Sequence, residues 1–377
     1  MSSLQEMDEQ RPEDSTFEVF EPNASGVGLR RRLLVVPTVI CSHIVADHIA
    51  AGVEGAVSIP HDHGCAQIGA DHEQTERTLL NLSKNPNVSA VVVVGLGCEH
   101  LQSRPFAERV EAQGVPVREL SIQGVGGTDA CETQGVELAR SLVHHNRPEK
   151  VTGSLDDLTV GVISSDLNAS TVQTGAPLVG RVVDRISASG GRVIVAGTER
   201  LVPHRSVVTD RVTDSAGEGW LLDRLDELSM YPGKSQSIST RAAGLSPDAV
   251  IGHWGSGPIQ SVLEHGVPPE DPDGVHLMDS SSRFEEAATG LAAAGATVIL
   301  HLTDEGITTG HPVVPVLKIS ASAKSLEAVG TDIDIDARKE TPPGVLRRLI
   351  KIADGEPTAA ETHGMTSFAL SRVGPSM

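Results

Sequence analysis

The feature that most constrains the fold is the nearly all-valine segment VSAVVVV at residues 88–94. It shows no alternation of polar and apolar positions, which is typical of a strand buried on both faces. The segment follows the turn sequence NPN at residues 85–87 and is far too short to cross a bilayer. It therefore predicts a central strand of a parallel sheet that is covered by helices.

Strand and helix patterns alternate along most of the chain, as in a parallel α/β fold. The predicted strands are residues 32–40, 56–60, 88–94, 115–121, 158–163, 191–196, 296–302 and 314–319. The predicted helices are residues 42–53, 73–83, 106–113, 177–188 and 285–294, with a polar, partly helical stretch at 214–243. The sequence thus predicts an α/β protein made of parallel-sheet units in two to three sub-domains.

Charge excludes several classes of partner. The net charge of −20 leaves nothing that could neutralise a row of phosphates, so we expect no nucleic-acid partner. Residues 1–25 lack the basic and apolar regions of a signal peptide, and we expect a cytoplasmic protein without a membrane partner. An acidic surface with few lysines indicates a salt-loving organism, where salt screens self-repulsion. The alternative is an ordinary acidic protein.

Three of the four cysteines lie just past predicted strand ends, namely Cys41, Cys65 and Cys98, and His61 lies beside Cys65. Ligands bind at this edge of open α/β sheets, and thiolates and imidazole suit iron or zinc better than magnesium. We predict that these four residues are metal ligands. The spacing also allows an iron–sulfur cluster with three cysteine ligands. The alternative is packed cysteines and a hydrogen-bonded turn histidine.

Polar residues near these positions are candidates for catalysis. Glu99 directly follows Cys98 and is predicted to be the base or the group that orients it; the alternative is a helix-start glutamate. Gln102 lies one turn further on and could bind a substrate hydroxyl. His63 is a further imidazole at the same edge and a second catalytic candidate.

Four segments follow from these patterns. Residues 1–28 are predicted to be an acidic disordered tail, and residues 29–148 an N-terminal α/β metal-binding domain. The polar segment at residues 146–157 is predicted to be a linker. We predict a second α/β domain at residues 149–243 and a C-terminal α/β domain at residues 244–377.

Several motifs together resemble the altronate/galactarate dehydratase family, in its large catalytic part. The segment GLGCEHLQ at residues 95–102 is similar to the most characteristic stretch of that family. The other matching segments are PTVICS at 37–42, HDHGC at 61–65, NPN at 85–87, GGT at 126–128, and ETHG at 361–364 followed by Phe368.

The resemblance implies an iron-dependent lyase that removes water from a sugar acid or related small hydroxy acid and leaves a 2-keto-3-deoxy acid. It implies Fe²⁺ as the cofactor, with Mn²⁺ or an iron–sulfur cluster as alternatives, a separate small subunit, and an oligomer. On matching positions it assigns substrate contacts to Thr128, Ser164 and Ser165. Ser164 stands where the family has a cysteine.

Three functions are consistent with the sequence. The first is the sugar-acid dehydratase, and the second is a sulfo-lyase that eliminates sulfite from sulfolactate. The third is a catalytically reduced relative that serves as a metal-binding or assembly subunit. The departures beyond residue 160 favour the third function. The first two are favoured by the retained residues Cys41, His61, Cys65, Cys98, Glu99 and Gln102.

Overall fold

The computed structural model describes residues 12, 15–23, 25–65, 67–146, 148–230, 236–270 and 273–373. Two parallel sheets dominate it, so the predicted α/β fold is confirmed. None of the described helices combines the length and the apolar character that a membrane crossing requires. We call residues 29–146 the N-lobe and residues 155–373 the C-lobe.

The N-lobe is built on a four-stranded parallel sheet around the valine-rich strand. Its strands, in the order β4-β3-β5-β6, are β3 (Arg32–Pro37), β4 (Ala56–Ser58), β5 (Val88–Gly95) and β6 (Val117–Ser121). Its helices are α1 (His43–Ala51), α2 (Gly69–Ser83), α3 (Ser103–Glu111) and α4 (Thr128–His145). Because α1 and α4 cover one face and α2 and α3 the other, alternate valines of β5 are buried on opposite sides.

The C-lobe is built on a seven-stranded parallel sheet in the order β10-β11-β9-β8-β12-β13-β14. Its strands are β8 (Thr159–Ser164), β9 (Arg192–Ala196), β10 (Ile259–Leu263), β11 (Gly274–Met278), β12 (Val298–Leu302), β13 (Val316–Ser320) and β14 (Ile335–Asp336). Its helices are α5 (Ala176–Ala188), α6 (Ser206–Arg211), α7 (Ser215–Met230), α8 (Gln236–Ala242), α9 (Pro247–Ile251), α10 (Phe284–Ala293), α11 (Ala323–Val329), α12 (Pro342–Ala353) and α13 (Ala359–His363).

The two lobes share a buried interface in which α2 packs against α10. The NPN turn joins them through side-chain hydrogen bonds. The Asn85 amide donates to the carbonyls of Ala292 and Ala296 at 2.7 and 2.9 Å, and the Asn87 amide donates to Thr297 O at 3.0 Å. This motif therefore has a structural role at the lobe boundary.

The predicted disordered tail is wrong for residues 17–23 and 26–28, and the predicted linker is wrong for residues 150–153. These residues form a small antiparallel sheet of β1 (Phe17–Asn23), β2 (Gly26–Gly28) and β7 (Lys150–Gly153). Phe17 and Val19 are buried against the C-lobe core, which anchors this segment. Most of the remaining predicted tail lies outside the described residues.

The predicted domain boundary between residues 243 and 244 does not separate two sheets. Strands β8 and β9 come from the predicted second domain, whereas β10 to β14 come from the predicted third domain. All seven hydrogen-bond in one sheet, with β9 paired to β11 and β8 paired to β12. The C-lobe is therefore one structural unit, and the two-domain division is corrected.

Candidate functional site

Three turns meet at the carboxyl edge of the N-lobe sheet. The amide of Ile40, after β3, donates to His63 O at 2.9 Å, and the amide of His100, after β5, donates to Gly64 O at 3.2 Å. Gly64 has a φ of +101°, and a Cβ there would lie 2.1 Å from Thr38 O. The HDHGC segment thus packs against both neighbouring turns only because residue 64 is glycine.

The three cysteines predicted as ligands lie on these turns. Cys41, Cys65 and Cys98 are all exposed. The fourth cysteine, Cys131, is buried in α4, and burial raises the pKa of its thiol to about 11. The edge therefore presents three accessible thiols on turns that are hydrogen-bonded to one another. All three cysteines follow strand ends at one edge of the sheet, where the sequence predicted them.

His61 is buried under the same edge, and both of its ring nitrogens are engaged. Nε2 lies 2.8 Å from Pro37 O, so it carries the proton and donates, while Nδ1 accepts from the backbone amide of His63 at 3.2 Å. Burial lowers the pKa of His61 to about 4, which keeps the ring neutral. In this arrangement the imidazole holds the turn together and has no free lone pair for a metal.

The predicted metal ligands are not arranged around a common point. Within the described ranges, no group of three or more His, Cys, Asp or Glu side chains is arranged to hold a metal ion. The predicted set of Cys41, His61, Cys65 and Cys98 therefore does not fit a four-ligand centre as arranged, since His61 is committed elsewhere. Metal dependence stays a prediction, and no step of the chemistry below depends on it.

Glu99 is buried and points into the protein. Its Oε1 accepts from Thr38 Oγ1 at 3.1 Å and its Oε2 accepts from the Gly97 amide at 2.6 Å. The carboxylate therefore links the turn after β3 to the turn that carries Cys98. These contacts favour the orienting role over the role of proton acceptor, both of which the sequence allowed.

His63 is the half-buried imidazole at this edge, and the C-terminal segment covers it. Its pKa is lowered by burial and by the nearby Arg372 guanidinium, and the Leu370 backbone hydrogen-bonds to it. Arg372 also pairs with Asp71 at 3.3 Å, and its buried Nε has no hydrogen-bond partner among the described residues. A neutral imidazole thus lies beside a guanidinium group whose Nε–H has no hydrogen-bond partner among the described residues.

The two predicted substrate-binding residues of the N-lobe lie at helix starts. Gln102 is exposed just before α3, and its side-chain amide donates to Glu99 O. Thr128 is the exposed first residue of α4, after Gly126 and Gly127, which both have positive φ. Both are accessible, and their contact with a substrate stays a prediction.

A second polar group lies at the carboxyl edge of the C-lobe sheet. Ser165, half-buried just after β8, has its Oγ 2.5 Å from Nε2 of His301, which lies on the adjacent β12. Ser164 is buried, and its hydroxyl donates to Asp166 O at 2.9 Å. Of the two predicted serines, therefore, only Ser165 has its hydroxyl paired with a titratable side chain.

His301 is held as a neutral imidazole. Burial, with a smaller effect of Lys318, lowers the pKa of His301 to about 3. The ring stacks on Phe284 with centroids 4.3 Å apart, and Nδ1 has no partner among the described residues. A neutral imidazole bonded to a half-exposed hydroxyl can accept a proton through that hydroxyl.

The C-terminal segment connects these two edges. Phe368 lies against the buried His311 with ring centroids 5.9 Å apart, and two residues later Leu370 contacts His63. Leu370 also belongs to the same buried cluster as Leu101 of the N-lobe and Phe284 of the C-lobe. Residues 368–372 therefore extend from the β12–β13 region to the thiol-bearing turns.

Comparison with known proteins places the chain in a family. Residues 20–147 match the model of the second domain of D-galactarate dehydratase/altronate hydrolase, and residues 155–376 match the C-terminal model of D-galactarate/altronate dehydratase. The chain belongs to the D-galactarate dehydratase/altronate hydrolase family. It is therefore a hydro-lyase-type enzyme, and the resemblance inferred from the motifs is confirmed.

Individual relatives of this dehydratase family are similar along almost the whole chain. Altronate dehydratases of Bacillus subtilis (strain 168) and Escherichia coli (strain K12) are each 26% identical, over 96% of this chain and 78% of their own length. The (2R)-sulfolactate sulfo-lyase subunit beta of Chromohalobacter salexigens is 25% identical, over 95% of this chain and 97% of its own length. Identity alone does not separate the two activities.

Sequence reasoning missed two buried polar clusters at the C-lobe edge of this dehydratase-family chain. Asp304, after β12, accepts from Ser320 Oγ and the Ala321 amide at 2.9 and 2.8 Å. Burial acts to raise the pKa of Asp304, but its hydrogen bonds outweigh burial and lower it. The sequence signal that could have identified Asp304 as a site residue is its position directly after a predicted strand.

The second missed cluster is the adjacent pair Glu199 and Arg200, after β9. Burial raises the pKa of Glu199, although the Ser282 amide donates to its Oε1 at 2.7 Å. Arg200 is fully buried and donates to Ser164 O at 2.6 Å, and burial lowers its pKa to about 10. Arg200 therefore holds the end of β8 directly before Ser165, and Glu199 holds the backbone at Ser282.

Proposed function

We propose that this chain eliminates water from a small polyhydroxylated acid, of the altronate or galactarate kind. Two of the relatives described above are altronate dehydratases. The observation that carries the proposal is the Ser165–His301 pair, an imidazole hydrogen-bonded to a half-exposed hydroxyl at the ligand-binding edge of the sheet. Such a pair supplies the proton acceptor that dehydration requires.

The reaction needs two proton movements. A base removes the proton from the carbon next to the carboxylate, and the hydroxyl on the following carbon then leaves with a proton as water. The resulting enol converts to a 2-keto acid when a solvent proton is added to that following carbon. We assign the first movement to His301 through Ser165, and we keep His63 as the group that protonates the leaving hydroxyl.

Substrate recognition follows from the charges at the edge. The Arg372 guanidinium, with its unpaired Nε, would bind the substrate carboxylate, and the exposed Gln102 and Thr128 would contact hydroxyl groups. Glu99 acts as a positioning residue for the Cys98 turn. In this proposal, the cation lies against the N-lobe, where Arg372 pairs with Asp71, and the acceptor lies at the edge of the C-lobe sheet.

We propose iron, Mn²⁺ or an iron–sulfur cluster as the cofactor. The accessible Cys41, Cys65 and Cys98 thiols are of the donor type that suits a thiophilic metal, but they would have to move together to hold one, since as arranged they form no such group. A separate small subunit and an oligomeric enzyme are proposed as well, and one relative is named as a subunit beta.

The second candidate function is elimination of sulfite from sulfolactate. It is favoured by the 25% identity with the sulfo-lyase subunit along 95% of this chain. The chemistry is the same proton abstraction next to a carboxylate, but the leaving group is sulfite and needs no proton to depart. His63 would then be dispensable, which distinguishes the two functions experimentally.

A screen of three acids tests the proposal. Anaerobically purified protein, with and without added Fe²⁺, is incubated with altronate, galactarate or (2R)-sulfolactate, and keto acid and sulfite are both measured. We expect keto acid without sulfite from a sugar acid, and loss of turnover in His63→Gln. Keto acid together with sulfite, unaffected by His63→Gln, supports the second candidate. No product from any acid under either condition contradicts both.

A further inference from the structure

A cavity of about 440 Å³ lies between the two lobes, and its lining contains none of the residues assigned to the proposed reaction. Helix α2 of the N-lobe borders it on one side, and helix α7 of the C-lobe borders it on the other. Glu264 and His265 after β10 and Asp279 after β11 also line it, so it lies at the carboxyl edge of the C-lobe sheet. Ligands bind at this edge in open α/β sheets.

Carboxylates outnumber cations in the lining of this cavity. The lining contains five carboxylates and two guanidinium groups, which leaves three negative charges in excess. The acidic residues are Glu73, Asp223, Glu227, Glu264 and Asp279, and the basic residues are Arg77 and Arg224. The charge of the cavity therefore favours a cationic ligand.

Both guanidinium groups are already neutralised by ion pairs. Arg77 pairs with Glu264 at 3.0 Å. Arg224 pairs with Glu227 at 3.0 Å and with Asp279 at 2.9 Å. Burial acts to lower the pKa of Arg224, but the two carboxylates outweigh burial and raise it. The arginines therefore do not make the cavity a site for an anion.

Two carboxylates of the lining have no partner. Glu73 of α2 and Asp223 of α7 are both exposed. Neither side chain forms an ion pair or a hydrogen bond with another residue that the structure describes. Because one belongs to each lobe, a ligand with two separated positive charges could pair with both.

A buried acceptor without a partner also borders the cavity. His265 is only 5% exposed, and its Nδ1 lies 3.2 Å from Asp279 O, so Nδ1 carries the proton and donates. Burial lowers the pKa of His265, which keeps the ring neutral. Nε2 therefore has a lone pair, and it has no hydrogen-bond partner among the described residues. An N–H group of a bound ligand would satisfy this acceptor.

The arrangement of these groups favours an organic amine over a metal ion. Within the described part of the chain, no three or more His, Cys, Asp or Glu side chains are placed to hold a metal ion. Trp220 lines the cavity and is 38% exposed, and the face of an indole attracts ammonium groups. A volume of about 440 Å³ lies in the usual range of ligand pockets, roughly 300–1,000 Å³, and accommodates a linear diamine or triamine.

We propose that this inter-lobe cavity binds a linear aliphatic polyamine, whose ammonium groups pair with Glu73 and Asp223 and whose chain lies along Trp220. One of its N–H groups would donate to His265 Nε2. The site is independent of the proposed function and needs no turnover. Since the two carboxylates come from different lobes, a bound polyamine would also link α2 to α7.

Isothermal titration calorimetry at constant ionic strength tests the site, with putrescine and spermidine as probes and Mg²⁺ as the reference cation. We expect one polyamine per chain, bound more tightly than Mg²⁺, which has the charge but no N–H donors. The double variant Glu73→Lys/Asp223→Lys reverses both unpaired charges and should weaken binding at least about tenfold. The control Glu54→Lys/Glu218→Lys makes the same change in charge outside the cavity, once in each lobe, and should bind within about twofold of wild type.

Tryptophan fluorescence locates the bound polyamine on the wild-type protein. The chain has two tryptophans, and because Trp254 is fully buried, quenching by acrylamide reports on the exposed Trp220. Saturating spermidine covers the indole and should lower this quenching at least about twofold, whereas Trp220→Phe should show no change with spermidine. Polyamine binding no tighter than that of Mg²⁺, equal binding by Glu73→Lys/Asp223→Lys, or unchanged quenching of Trp220 would each overturn the proposal.

Discussion

Glu99→Gln separates the two roles that the sequence allowed for this glutamate. In the structure its Oε1 accepts from Thr38 Oγ1 at 3.1 Å and its Oε2 accepts from the Gly97 amide at 2.6 Å. A glutamine can accept from Gly97 with its carbonyl and donate to Thr38 with its amide, so both contacts survive. A hydrogen bond to a charged acceptor contributes about 1.5–3 kcal/mol and a neutral one about 0.5–1.5 kcal/mol. We therefore expect the free energy of unfolding to fall by about 1–1.5 kcal/mol for each of the two contacts, or about 2–3 kcal/mol in all.

The kinetic consequence follows from the same contacts. A residue that only positions the Cys98 turn should lose less than about tenfold in kcat when its charge is removed, whereas loss of a general base costs about 10²–10⁴. Steady-state elimination kinetics and urea unfolding measure the two quantities, and the reaction rate of Cys98 with a thiol reagent reports on the turn. Glu361→Gln is the control for loss of a carboxylate charge, because Glu361 accepts from Arg30 and from the Thr358 amide at the opposite end of the N-lobe sheet.

One combination of results would refute this reasoning. If Glu99→Gln loses 10²–10⁴ in kcat while its unfolding free energy and Cys98 reactivity match wild type, the carboxylate acts as the base. The buried contacts would then not describe the working enzyme.

Three further predictions concern stability. Asn85→Asp replaces two inter-lobe donors with a carboxylate facing Ala292 O and Ala296 O, so urea unfolding should show that the free energy of unfolding falls by at least about 3 kcal/mol. The control Asn146→Asp, at the end of α4, should lower it by less than about 1 kcal/mol. Equal losses in the two variants would contradict the lobe-joining role of Asn85. His61 and His301 have folded pKa values of about 4 and about 3, against 6.5 unfolded, so the unfolded state binds more protons below pH 6.5. The free energy of unfolding should therefore fall on acidification from pH 6.5 towards 4, by up to about 1.4 kcal/mol per pH unit for each histidine. The measurement is made in molar salt, which screens repulsion between carboxylates. An unfolding free energy that does not change between pH 7 and 5 would contradict this prediction. With net charge −20, the melting temperature should rise between dilute buffer and molar KCl, and an unchanged value refutes the salt-adapted interpretation.

The N-lobe was predictable because its signals are local. The valine-rich strand, the NPN turn before it and the cysteines after the strand ends lie where the sequence placed them. The small antiparallel sheet was not predictable, since FEVFEPN pairs with residues 150–153 and neither segment has a strong pattern of its own. The edge strand β10 and its neighbour β11, with the mixed sequences IQSVL and GVHLM, were missed for the same reason.

The candidate site divides in the same way. Residues brought together by adjacent turns, such as Cys41 and Cys65, follow from strand order and the position of each strand end. Ser165 and His301 are 136 residues apart, and only the pairing of β8 with β12 brings them into contact. The orientation of Glu99 also depends on a distant partner, Thr38, so sequence adjacency to Cys98 suggested exposure where the fold provides burial.

Proton chemistry at the substrate tests the central claim most directly. The protein is incubated with a sugar acid in D₂O, and the product is followed by NMR. Dehydration with ketonisation predicts a 2-keto-3-deoxy acid that carries one solvent deuterium on the carbon that lost the hydroxyl. We expect this product from wild type and from Ser141→Ala, which removes an exposed serine hydroxyl 3.4 Å from His145. Ser165→Ala should form it at least about tenfold more slowly with unchanged unfolding. Wild-type turnover by Ser165→Ala, or a product without solvent deuterium at that carbon, would contradict the account.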